Sequence, residues 1–128
     1  MVSIELSTRE CGGRVVVALR GELDVADAAS VAASLAAVAA SGRPIILDLA
    51  ALDFIDSSGL AALVRARRQA LQAGCDVLLA APQQQVLGVL ALTRLINVFP
   101  VYSGVDEAAG GRGSSAPTAA SLDALAAT

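Results

Sequence analysis

Asp56-Ser57-Ser58-Gly59 sets one carboxylate and two hydroxyls side by side, the most reactive grouping in the chain. It follows a strongly apolar segment (Ile45, Ile46, Leu47, Leu49) and runs into an amphipathic one, so the local order reads strand, short loop, helix start. Aspartate and serine side chains accept hydrogen bonds from the free N–H groups of a first helical turn. The positive end of that helix dipole lies under the serines, and an anion there, including a phosphate esterified to a hydroxyl, meets donors rather than acceptors. Two uses fit: the polar residues cap the helix, or a serine hydroxyl takes up and gives back a phosphate. Local sequence leaves both open.

Composition removes most alternatives. All nine basic residues are arginine, and the chain has neither lysine nor histidine. A Ser-His-Asp triad, a histidine base, a Schiff-base lysine, a Walker-type phosphate loop and histidine metal sites are therefore unavailable. A hydrolase acting through Ser57 would have only carboxylates as bases, so no catalytic residue is assigned and the chain reads as a non-enzyme with no cofactor or metal. Cys11 and Cys75 are too far apart in sequence for a metal knuckle, and free thiols in a reducing compartment are the expectation, with a disulfide between them the alternative that distances decide. With a net charge of −3 and no long basic run, nucleic acid is not the expected partner. No cationic leader precedes an apolar run and no apolar stretch reaches membrane-spanning length, so the expectation is a soluble, cytoplasmic protein.

The 128 residues suit one domain, and with aromatics at 2% its core must rest on Leu, Val and Ile. Val2, Ile4 and Leu6 alternate with polar residues as a half-buried strand does, and Gly12-Gly13 turns the chain into a second strand, Arg14 to Arg20. Asp24 is an N-cap candidate for a helix from about Ala26 to Ala40, with Ala28, Val31, Leu35 and Val38 as its apolar stripe and Asp27 in its first turn. Ile45 to Leu49, almost continuously apolar, reads as a central strand buried on both faces.

The helix from Ser57 to about Ala73 has Leu60, Leu63, Val64 and Leu71 inward, with Arg65, Arg68, Gln69 and Gln72 outward. Arg67 falls near the stripe, its stem packed and its head reaching water. Phe54 and Ile55 read as loop anchors in the core. Asp76 to Ala80 is a fourth strand, Pro82 to Leu92 a third helix with Val86, Val89 and Leu90 inward, and Val98 to Tyr102 an edge strand. A last helix spans Val105 to Ala109. Gly110 to Pro117 reads as a flexible segment, and Ser121 to Ala127 as a marginal helical turn. The order β-β-α-β-α-β-α-β-α makes an α/β domain with helices packed on a mixed sheet.

This order, with Gly21-Glu22-Leu23-Asp24 upstream of Leu52-Asp53-Phe54-Ile55-Asp56-Ser57-Ser58-Gly59-Leu60, closely resembles the bacterial anti-sigma factor antagonists of the STAS domain family. Thr93-Arg94-Leu95-Ile96-Asn97-Val98-Phe99 is similar to the family's segment before the last strand. The resemblance implies a STAS-type fold over residues 1–109, helices mainly on one face of the mixed sheet, and a tail over 110–128. It also implies a partner-switching regulator of transcription. The unmodified antagonist binds an anti-sigma factor that is also a serine kinase and frees the sigma factor. The kinase phosphorylates the first serine of the motif, Ser57 here with Ser58 as runner-up, and a PP2C-type phosphatase restores it. Glu22, Asp24, Asp56, Ser58, Gly59 and Leu60 fall at or near the docking surface. Related domains serve instead as unphosphorylated interaction subunits of stress-signalling or lipid-transport complexes.

Overall fold

The computed structural model describes residues 4–110. A hairpin opens the fold: β1 (Ile4–Cys11) pairs antiparallel with β2 (Arg14–Leu23). Gly12 and Gly13 join them at φ of 58° and 81°, a two-residue turn whose left-handed backbone needs glycine. There follow α1 (Val25–Ala39), β3 (Ile45–Ile55), α2 (Ser57–Gln72), β4 (Val77–Ala80), α3 (Gln84–Leu92), a 3-10 turn (Leu95–Asn97), β5 (Val101–Tyr102) and α4 (Val105–Gly110). The strands lie in the order β1-β2-β3-β4-β5, with every pairing after the first parallel. The α/β mixed sheet expected from the sequence is therefore present, with β3 at its centre.

Topology explains why the helices crowd one face. Each of α1, α2 and α3 crosses over between adjacent parallel strands, always stepping the same way along the sheet. Right-handed crossovers taken in one direction put all their helices on the same side. The main core forms there, from Val17, Leu19, Ile45, Leu47, Leu49 and Leu79 of the sheet against Val31, Leu35, Leu63, Val86 and Leu90. Among the described residues no strand follows α4, so it is free to lie on the other face, where Ala108 packs with Val16, Ile46 and Ala80. It leaves part of that face open, with a hollow of about 310 Å³ whose lining includes Ser7, Ala18, Arg20, Asp48 and Ala50.

Several boundaries and environments differ from the sequence expectation. β3 does not stop at Leu49; it continues to Ile55 through the expected loop, because β2 keeps pairing with it as far as Leu23. Two register shifts each place one extra residue on β3, between Asp48 and Ala51 and between Leu52 and Phe54. The last strand is shorter than Val98 to Tyr102, since the 3-10 turn over Leu95–Asn97 runs on: the Val98 and Phe99 N–H groups both donate back to Leu95 O, and pairing begins only at Val101. β5 does lie at the sheet edge. On α2, Leu71 is exposed rather than inward and Gln69 is half-buried rather than outward, because Ala66 and Ala70 form the buried stripe of the last turns. Gly110 closes α4, and the expectations for the remainder of the tail lie outside the described residues.

Arg67 also behaves differently. Its head does not escape to water: Nε donates to Asp76 Oδ1 at 2.9 Å and the guanidinium lies 5.8 Å from the centre of the Phe99 ring. Asp76 Oδ1 also accepts from the Val77 backbone N–H at 2.7 Å. The arginine thus ties α2 to the start of β4 and the approach to β5. Both charged side chains keep partial solvent access, which limits the pair's worth. Arg67→Ala is expected to cost about 1–2 kcal/mol in urea unfolding, through the ion pair, the ring contact and the packed stem together.

Candidate functional site

The site is built where β2 and β3 end side by side. Leu23 and Ile55 are the last residues in register, and the Asp56 N–H donates to Leu23 O at 3.2 Å beyond them. Each strand then gives way to an aspartate and a helix. Asp24 caps α1, its Oδ1 accepting from Ala26 N at 3.0 Å, and Asp56 caps α2, its Oδ1 accepting from Gly59 N at 3.0 Å. Parallel strands bring their carboxyl ends to one edge, so both helix N-termini face the same way. α3 begins at that edge too, after β4.

Ser57 is the first residue of α2 and is exposed, while Ser58 is half-buried. Both hydroxyls sit at the positive end of the α2 dipole, and Ser57 is the more open to another protein. Glu22 is exposed; Asp24 and Asp56 are half-buried. Capping is therefore an observed use of both aspartates, and it leaves each carboxylate at the rim where the serine stands. Asp27 lies in the first turn of α1.

Gly59 and Leu60, expected at or near the docking surface, are buried. Leu60 is 5% exposed and belongs to the main core. A β-carbon on Gly59 would lie 2.8 Å from Leu23 Cγ, Leu23 O and Ile55 Cγ1. The glycine is there because α2 starts pressed against the ends of β2 and β3. Its absent side chain sets how close the serines sit to the Glu22-Leu23-Asp24 turn. Both therefore pack the first turn of α2 against the sheet: Leu60 lies in the core, and Gly59 lies against Leu23 and Ile55.

The structure adds residues that the motif does not contain. Gln83 Nε2 donates to Ala50 O at 2.8 Å and to Asp53 Oδ1 at 3.1 Å. Gln85 Nε2 donates to Asp53 O at 3.1 Å and to Gln83 Oε1 at 2.6 Å. These glutamines fasten the start of α3 to the bulged end of β3, where a shifted ladder leaves backbone carbonyls to satisfy. Phe54 differs from Ile55: Ile55 enters the core as expected, but Phe54 stays outside it, 47% exposed. The run Gln83-Gln84-Gln85 was the one sequence sign of the clasp, and Phe54 carried none that alternation would reveal.

Cys11 and Cys75 are free and half-buried, with Cys75 Sγ donating to Gly42 O at 2.6 Å. Among the described residues, no helix is long and apolar enough to cross a membrane.

A five-stranded mixed sheet, three crossover helices on one face and an exposed serine at a capped helix start define an α/β fold of STAS type. The STAS domain model matches residues 5–108, and the chain belongs to that family. A Bordetella bronchiseptica protein named as an anti-sigma factor antagonist, BtrV, is 29% identical over 107 residues, which span 83% of this chain and 92% of the relative. The crystal structure of an anti-sigma factor antagonist from Mycobacterium paratuberculosis is similar at a TM-score of 0.76 and 28% identity, over 83% of this chain and 91% of that one. The Bacillus cell fate determinant SpoIIAA in its phosphorylated form shares the fold at a TM-score of 0.64 and 22% identity, over 85% of this chain and 99% of that one.

Two glycines give opposite expectations that test the packing at the site. Gly59→Ala should destabilise the fold by about 1–3 kcal/mol, since the added methyl meets backbone as well as side chains. Gly88, within α3, has nothing within 4 Å of an added β-carbon. Gly88→Ala should stabilise by about 0.5–1 kcal/mol. Thermal or urea unfolding of both variants reads the contrast.

Proposed function

We propose that this chain is an anti-sigma factor antagonist whose unphosphorylated form binds an anti-sigma factor with serine kinase activity and releases the sigma factor. Phosphorylation of Ser57 ends that binding, and a PP2C-type phosphatase restores it. The observation that carries the reading is the exposed Ser57 hydroxyl at the first position of α2, flanked by the Asp24 and Asp56 caps. The names of the relatives from Bordetella and Mycobacterium support the antagonist role.

The chemistry requires little of this chain. The kinase transfers the γ-phosphoryl group of ATP to Ser57 Oγ: an O–P bond forms, the bond to ADP breaks, and the hydroxyl proton leaves. The phosphatase delivers a water oxygen to phosphorus and regenerates the hydroxyl with free phosphate. This chain's task is to present the oxygen, which the helix start does by holding it on a rigid element in the open. It acts as substrate and ligand, not as catalyst.

The switch then works without refolding. A phosphate adds about −1.5 to −2 charges. At a helix N-terminus such a charge is favoured by about 0.3–1 kcal/mol, so α2 stays formed. Glu22, Asp24, Asp53 and Asp56 already make the rim acidic, which suits a basic partner face. A dianion wedged into that close contact adds bulk and a charge that must be desolvated, and the partner lets go.

Binding of the source organism's recombinant anti-sigma kinases, measured by calorimetry, tests this. Ser57→Ala should bind as the unmodified protein does, and Ser57→Asp at least about tenfold more weakly, a difference of about 1.4 kcal/mol. Equal affinity of the two variants would overturn the switch. Phosphopeptide mapping after incubation with kinase and ATP should find phosphate on Ser57. Tight binding with no phosphate on either serine would point to an interaction subunit of the unphosphorylated kind.

A further inference from the structure

The placement of Phe54 is a departure from what strand geometry would give it. From Leu52, which is buried, strict alternation would send Asp53 out, Phe54 in and Ile55 out. The register shift between Leu52 and Phe54 breaks that alternation: Asp53 and Phe54 both stay outside and Ile55 enters the core. A bulge of this kind re-aims a side chain, and bulges concentrate next to functional sites. Here the residue turned out is one of only two phenylalanines in a chain with three aromatic side chains. A ring in water forgoes the burial that an aromatic residue otherwise contributes to a core.

Scattered single apolar residues on a surface need no explanation. Phe54 is not placed at random, however. Its register partner on β2 is Glu22, its neighbour is Asp53, and Asp56 follows two residues on. It stands three residues before Ser57, on the strand that delivers that serine. The half-exposed ring thus has acidic residues beside it along β3 and across from it on β2, and it stands close in the chain to Ser57. Aromatic residues ringed by polar groups are the usual energetic centres of protein interfaces.

We propose that Phe54 is the apolar anchor of the docking surface: an apolar side chain of the partner, flanked by arginine or lysine, seats on its ring while the basic groups meet Glu22, Asp53 and Asp56. This rests on the antagonist reading and extends it, because it assigns the binding energy to a residue outside the serine motif and the Glu22-Leu23-Asp24 turn. The acidic border selects a basic partner surface and the ring holds it.

The test uses the full chain and the same recombinant anti-sigma kinases. Phe54→Ala should bind at least about tenfold more weakly than wild type, and Phe54→Leu about threefold more weakly, with melting temperatures near the wild-type value because the ring is outside the core. The rate of Ser57 phosphorylation at low antagonist concentration should fall in proportion, while the rate at saturation should not. Affinity of both variants within twofold of a wild-type protein that does bind would overturn the anchor and leave the antagonist role standing. Should the alanine variant melt early, the leucine variant decides by the same criterion. If no kinase of the panel binds wild type, the antagonist role fails, and the anchor with it.

Discussion

Parallel pairing of β2 with β3 up to Leu23 and Ile55 is the constraint on which the rest of the molecule depends. Because the strands stop together, the aspartates that follow them cap neighbouring helices at one edge of the sheet. Because a β-carbon on Gly59 would lie only 2.8 Å from atoms of Leu23 and Ile55, the first turn of that helix is pressed against both strand ends and has little freedom to shift. The turn that carries Ser57 is consequently placed by backbone packing, and Ser57 is exposed on it.

The end of β3 carries a conflict that the fold resolves in an unusual way. To reach the edge beside β2, the strand takes two extra residues, and its burial runs buried, exposed, exposed three residues at a time through Leu49, Leu52 and Ile55. That spacing keeps Leu and Ile on the core face although the strand is longer than its partner. The cost is a disrupted ladder, and the Gln83 and Gln85 amides supply donors to Ala50 O and Asp53 O there. The same irregularity puts Phe54 outside. One local feature therefore sets both the packing and the exposure at this edge: a strand is lengthened and its hydrogen bonds are completed from α3.

On the far side of α2, Arg67 performs a comparable service for the second half of the sheet. Its position near the apolar stripe would be a defect if the guanidinium had no partner, but Asp76 and Phe99 receive it. α2 is thereby fixed at its start by close packing under Gly59 and farther along by a charged contact.

Much of this was legible in the sequence, for a physical reason. Helix starts, glycine turns and apolar stripes are local events, so the hairpin, the Asp24 and Asp56 caps, the order of elements and the serine at a helix entrance could be read from neighbouring residues. The length of β3 could not, because Leu49, Leu52 and Ile55 recur every third residue, a period of neither strand nor helix, and only pairing with β2 makes a strand of them. The exposure of Phe54, the burial of Gly59 and Leu60, and the capture of Arg67 by Asp76 likewise depend on chain segments that are distant in sequence. Local residue types set which groups were available for chemistry. Which of them face water was decided by long-range register and packing, since accessibility is a property of the neighbours a side chain acquires and not of the side chain itself.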